Sequence, residues 1–108
     1  MSRTEYLYNS SGKWIAFRIG KFLYNSKAKW IGWFPWDDEH AVTKNGKYLG
    51  SIYPGNRFYQ QNYFPYRGYP GYPGYPGYPG YPGYPGYGGY SPRPSGTKDF
   101  EPDELNSL

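Results

Sequence analysis

The chain contains no cysteine, so neither a disulfide framework nor a thiolate metal site can hold it together. It has one histidine, His40, and no run of apolar residues long enough to span a bilayer. Its start, Met1-Ser2-Arg3-Thr4-Glu5 followed by Tyr-Leu-Tyr-Asn, lacks the apolar core of a secretory leader, which predicts a cytoplasmic protein. Glycine is plentiful, but no glycine loop has the pattern that cradles a phosphate. Ser10, Ser11 or Ser26 with His40 and Asp37 could be drawn as a hydrolytic triad. Those serines occupy repeated turn positions, however, where a hydroxyl serves the local backbone. Asp37-Asp38-Glu39-His40 could be drawn as a cation site, but consecutive strand residues point to opposite faces, and the segment reads as a charged turn. No catalytic, cofactor or metal residues are expected, and the protein is read as non-enzymatic.

Aromatic residues are present in abundance, 24% of the 108 residues. Ten of the 16 glycines and ten of the 12 prolines lie at or beyond Pro65, so composition divides the chain near residues 60–65. About sixty residues remain to build a core, and domains that small bury only ~60% of the surface their unfolded chain exposes. Large rings answer this need, each burying ~150–250 Å². Charge divides in the same place. Residues 1–62 carry nine Lys and Arg against four acids, and residues 63–108 carry three against four, with Asp99, Glu101, Asp103 and Glu104 gathered at the end.

The first half repeats. Leu7-Tyr8-Asn9-Ser10-Ser11-Gly12-Lys13-Trp14-Ile15-Ala16-Phe17 aligns with Leu23-Tyr24-Asn25-Ser26-Lys27-Ala28-Lys29-Trp30-Ile31-Gly32-Trp33, 16 residues on. A third copy runs from Ala41 to Ile52, and Gly55-Asn56-Arg57-Phe58-Tyr59 echoes Gly20-Lys21-Phe22-Leu23-Tyr24 as a partial fourth. Each unit is a β-hairpin signal, an apolar pair and a polar turn followed by Lys, an aromatic and an aliphatic residue. Ala28 stands where the other turns have glycine and predicts a strained turn. Simple alternation places Ile15, Phe17, Ile31, Trp33 and Leu49 on one face and Trp14, Trp30 and Tyr48 on the other, with the small residues Ala16, Gly32 and Gly50 between. With aromatics on both faces, a flat sheet would leave one set exposed, so a closed or strongly curled meander is expected. The small residues would let a neighbouring ring lie against the backbone. Helix is expected nowhere except briefly near Pro102–Leu108.

The run Lys29-Trp-Ile-Gly-Trp-Phe-Pro-Trp through Gly46-Lys-Tyr-Leu-Gly-Ser-Ile-Tyr, with Gly12-Lys-Trp-Ile-Ala-Phe-Arg-Ile-Gly upstream, resembles the bacterial 4-fold beta flower proteins over roughly residues 5–60. The resemblance implies an all-β fold in which short hairpins stand like petals about a pseudo-fourfold axis. It implies no activity.

Beyond the repeat, Tyr69–Gly86 is six perfect Tyr-Pro-Gly triplets. The segment has almost no aliphatic residue with which to build a core and reads as disordered, with transient polyproline II that would align its tyrosines along one edge. The same run is formally six Gly-Tyr-Pro triplets, but tyrosine is not a favoured collagen residue and nothing predicts a trimer. The expected organisation is a β-hairpin domain over 1–62, a disordered Tyr/Pro/Gly segment over 63–97 and a disordered acidic tip over 98–108.

Two candidate surfaces follow. Tyr69, Tyr72, Tyr75, Tyr78, Tyr81 and Tyr84 could make weak multivalent contacts to a protein partner or to a second copy, or could line a passive spacer. Lys13, Lys29 and Lys47 precede Trp14, Trp30 and Tyr48 in register, and with Arg57 they combine cations and rings as single-stranded nucleic-acid sites do. Against that reading, the rings are also what a domain of this size needs for its core. The expected role is structural or protein-interacting, with nucleic-acid binding by the basic head as the alternative.

Overall fold

The computed structural model describes residues 3–108. Its strands are β1 (Thr4–Tyr8), β2 (Trp14–Ile19), β3 (Phe22–Asn25), β4 (Trp30–Trp33), β5 (His40–Thr43), β6 (Tyr48–Tyr53), β7 (Arg57–Gln61) and β8 (Thr97–Lys98), followed by a short helix α1 (Pro102–Asn106). The first seven form an antiparallel meander closed into a barrel. Seven strands of alternating direction leave β1 and β7 running the same way, so the seam must be parallel. It consists of the pair Tyr8 and Arg57, with the Tyr8 N–H donating to the Asn56 carbonyl at 2.9 Å.

The sequence repeat reappears as three hairpin turns with the same bonds. In each, the first residue's carbonyl accepts from the fourth residue, at 3.1 Å for Asn9 and Gly12, 3.0 Å for Asn25 and Ala28, and 2.9 Å for Thr43 and Gly46. Its side-chain oxygen accepts from the lysine that follows, at 3.0, 3.0 and 3.3 Å for Lys13, Lys29 and Lys47. The fourth position is left-handed in every copy, with φ of 84° at Gly12, 63° at Ala28 and 87° at Gly46. Ala28 therefore holds the conformation that glycine adopts without cost, as its sequence position predicts.

After each turn comes a β-bulge, which corrects the face assignment. Leu7 pairs with Ala16 and Tyr8 with Trp14, so Ile15 is an extra residue. Ile31 and Leu49 are the extra residues opposite Leu23/Tyr24 and Ala41/Val42. A bulge interrupts strict alternation. Ile15 and Ala16 both join the inner cluster with Leu7, Leu23, Ile31, Leu49 and Phe58. Phe17, expected beside Ile15, instead stacks on Tyr24 with ring centroids 5.1 Å apart, in a second cluster with Trp14 and Trp30. Trp33 likewise lies outside the inner cluster, where Phe34 takes its place. The small residues are required by close approach. A Cβ on Gly50 would sit 2.7 Å from the Phe58 ring, and one on Gly32 would strike the Val42 carbonyl.

The structure does not confirm the disorder expected for residues 63–97 and 98–108. The radius of gyration is 13.0 Å, close to the ~13 Å of a fully compact chain of about 100 residues. After Gln61 the chain leaves the barrel and returns to pair as β8, with Gln61 opposite Thr97 and Gln60 opposite Lys98. Asp99 to Asn106 then cross the barrel's end. Buried Phe100 stacks on Phe58 at 5.5 Å, and Leu105 completes the inner cluster. Asn9 and Asn25, whose side-chain oxygens hold the turns, use their amide groups to donate to the carbonyls of Phe100 (2.8 Å) and Leu105 (3.2 Å). The sequence reading misses this because two apolar residues scattered among four acids carry no periodic signal. The helix lies where the sequence allows one, with Pro102 in its first turn and the Glu101 N–H donating to the Glu104 carboxylate at 3.0 Å.

Candidate functional site

Each bulged strand begins with an outward-facing ring: Trp14, Trp30 and Tyr48. The two indoles are fixed by the same bond, Nε1–H donating to the carbonyl two residues on, at 2.8 Å to Ala16 and 2.7 Å to Gly32. The Tyr48 hydroxyl is held by the Ser51 hydroxyl (2.7 Å) and the Gln61 N–H (3.0 Å), and burial pushes its pKa up. The repeat thus builds three equivalent aromatic platforms on the outer wall.

The Tyr-Pro-Gly segment is laid over them in reverse order. Phe64 stacks on Tyr48 with centroids 4.0 Å apart and planes within 7°. Tyr72 and Tyr75 lie on Trp30 at 5.8 and 5.7 Å, and Tyr81 and Tyr84 lie on Trp14 at 5.8 and 6.1 Å. The second pair of tyrosines is displaced from the first by three triplets, the chain length that carries the strap from one hairpin to the next. The turn glycines match this spacing. The Tyr69 ring would lie 3.0 Å from a Cβ on Gly46, and the Tyr87 ring 2.6 Å from one on Gly12. Backbone bonds fasten the far end, from Gly88 N–H to the Gly12 carbonyl (2.8 Å) and from Ser91 N–H to the Ser10 carbonyl (2.9 Å). The Tyr6 hydroxyl donates to the Pro82 carbonyl at 2.9 Å.

Polyproline II, the conformation the sequence suggests for this run, is interrupted at every triplet. The glycines from Gly71 to Gly86 have φ between 82° and 93°. That region is open to glycine and costly for residues with a Cβ. The run is therefore a repeated kinked unit, and the segment from Tyr63 to Tyr90 leaves ten tyrosines between 57% and 85% exposed even where one edge of a ring rests on the barrel. All six candidate tyrosines of the triplets belong to this girdle.

The basic candidates are dispersed. Trp14 and Trp30, 7% and 6% exposed, lie beneath the strap's rings. Lys13 is exposed and pairs with Glu101 at 3.2 Å. Arg57 is buried at the seam, where one guanidinium nitrogen donates to the carbonyls of Asn9 and Gly89 and the other to Gly88, all at 2.8 Å. Arg57 is thus placed as a clamp joining β7, the first turn and the strap. Lys29 and Lys47 remain exposed. His40 shares its Nδ1 with the Ser51 hydroxyl at 2.6 Å and packs its ring on Phe64 at 4.9 Å. Ser10, drawn above into a triad, bonds through its hydroxyl and its N–H to the Asp99 carboxylate.

Sequence reasoning could not find the strap's seat, although its signal was present. Three outward rings in register and a tyrosine triplet repeat are complementary, but nothing in either pattern states that they meet. Compared with models of known families, with curated proteins and with solved structures, the chain matches none.

Proposed function

We propose that this protein is a non-catalytic interaction module in which the barrel is a rigid former and the strap wound on it is the binding surface. The observation that carries this reading is the girdle of ten exposed tyrosines held by fixed contacts beneath. Tyrosine offers large contact area and a polar tip at small entropic cost, and it is enriched where proteins meet. Anchoring the backbone reduces the ordering cost a flexible tyrosine tract would bear on binding. Several weak contacts along one belt then add as avidity.

The fold reading belongs with this proposal. Taken with β8, β7 forms a fourth hairpin whose loop has grown into the strap, and Phe58 stands in it where Leu7, Leu23 and Ala41 stand in the others. This pairing supports reading the chain as a fourfold arrangement of the kind the beta flower resemblance implies.

The test replaces Tyr63, Tyr66 and Tyr90, the three most exposed rings, with serine. Sedimentation of the purified chain across a concentration series, and affinity capture from lysate, should both show association that the variant loses while its circular dichroism is unchanged. Association equal in the two proteins, or absent from both, would overturn the proposal.

A further inference from the structure

Between the turns of the second and third hairpins the strap roofs a cleft of about 550 Å³. Trp30 forms part of its wall, Tyr75 and Tyr78 part of its roof, and Lys27, Lys29 and Lys44 its rim. The described residues that line it include three cations and no carboxylate. The rim is held in place by the turn. Asn25 Oδ1 accepts the backbone N–H groups of both Lys27 (2.9 Å) and Lys29 (3.0 Å), fixing where the two side chains leave the backbone. Lys44 reaches across from the next hairpin, its Nζ 5.6 Å from the Trp30 ring. The corresponding lysine of the first hairpin, Lys13, is paired with Glu101, so the concentration of positive charge is particular to this cleft.

We infer that this cleft is a binding site for a nucleotide unit, a planar base lodged against the tyrosine rings with its phosphate on the lysine rim. The volume lies within the ~300–1,000 Å³ of small-ligand pockets. Rings supply stacking that every base accepts, and lysines supply point charges for phosphate. The unit can come from a free nucleotide or from a single strand threading the cleft, and the same chemistry serves both. The inference does not rest on the girdle's role in protein association: the two share Tyr72, Tyr75 and Tyr78, but the cleft is set apart by its lysine rim of Lys27, Lys29 and Lys44.

The full chain is titrated with ATP and, separately, with labelled oligo(dT) at low and moderate salt. The expected result is salt-sensitive binding that the triple variant Lys27→Gln/Lys29→Gln/Lys44→Gln weakens by about tenfold or more, with a shallower salt dependence. Tyr78→Ala should weaken it separately by removing a stacking ring. A control variant, Lys13→Gln/Lys21→Gln/Lys47→Gln, removes equal charge elsewhere and should bind as the parent does. Binding of ATP and oligonucleotide alike identifies the phosphorylated base as the recognised unit; preference for the oligonucleotide assigns a strand, and binding of ATP alone assigns a free nucleotide. No binding of either, or equal loss in the rim and control variants, overturns the site. Circular dichroism of each variant separates lost binding from lost fold.

Discussion

The protein contains two repeats that solve the problem of order in opposite ways. The 16-residue repeat of the barrel carries its structure within each copy, because the turn's first residue bonds both the fourth residue and the following lysine. The three-residue repeat of the strap takes its order from the barrel, through rings on Trp14, Trp30 and Tyr48 and through backbone bonds at Gly88 and Ser91. Their glycines differ accordingly. Gly12 and Gly46 are needed for a left-handed turn and also for the ring laid against them, whereas Gly71 to Gly86 face open space and are needed for φ alone. A chain can thus be compact along its whole length while only part of it builds a core.

The sharpest contrast comes from truncating one buried and one displayed residue. Leu105→Ala removes a fully buried side chain from the barrel's end and should cost about 2–5 kcal/mol by urea denaturation. Tyr78→Ala, at an exposed ring of the strap, should change stability by less than about 0.5 kcal/mol. Similar small values for both would mean that residues 99–106 are not part of the core and would restore the two-part division read from composition.

The strap's spacing supplies the next test. Deleting the single triplet Pro76-Gly77-Tyr78 leaves six residues instead of nine between equivalent tyrosines, so Trp14 and Trp30 cannot both keep their two rings in the present register. Two lost ring pairs correspond to about 1–3 kcal/mol, with greater acrylamide quenching of tryptophan fluorescence. Unchanged quenching and stability would show that the strap's length is not matched to the hairpins.

Much of the barrel was legible because it is written in local chemistry. The turn residues Asn9, Gly12, Asn25, Asn45 and Gly46, together with rings on both faces, were enough to give hairpins and closure. The bulges were not legible, since an added residue such as Ile15 leaves no mark in an apolar run, and Phe17 and Trp33 were assigned to the wrong face in consequence. The strap and the C-terminal plug were missed for a different reason. Their stabilising partners lie far off in sequence, as Asn9 does from Phe100 and Trp14 from Tyr84, and composition records only that such segments cannot form a core alone. Of the residues that line the cleft, Lys29, Trp30, Tyr72, Tyr75 and Tyr78 stand among the sequence candidates, while Lys27 and Lys44 come beside Trp30 only through the fold.

The smallest expected effect distinguishes the two repeats by pH. Tyr8, Tyr24, Tyr48 and Tyr59 all have pKa values raised above 10.0, chiefly because burial disfavours the phenolate. A raised folded-state pKa means that the native chain holds its proton where the unfolded chain has released it, so stability is fully present below pH 10 and falls as pH rises beyond it. Asp38 and Glu104 shift the opposite way. Burial pushes Asp38 up, but hydrogen bonds from the His40 N–H and the Arg67 guanidinium outweigh it, while Lys98 and the Glu101 backbone hold Glu104 down. Their contributions are present above the ordinary values of 3.8 and 4.5 and are lost as pH falls further. Urea midpoints measured from pH 3 to pH 11 should therefore form a plateau that declines at both ends. Tyr48→Phe should soften the alkaline decline, because the half-buried ring stays and the titrating hydroxyl goes. An alkaline decline identical in the parent and in Tyr48→Phe would show that the phenol beneath Phe64 does not carry it.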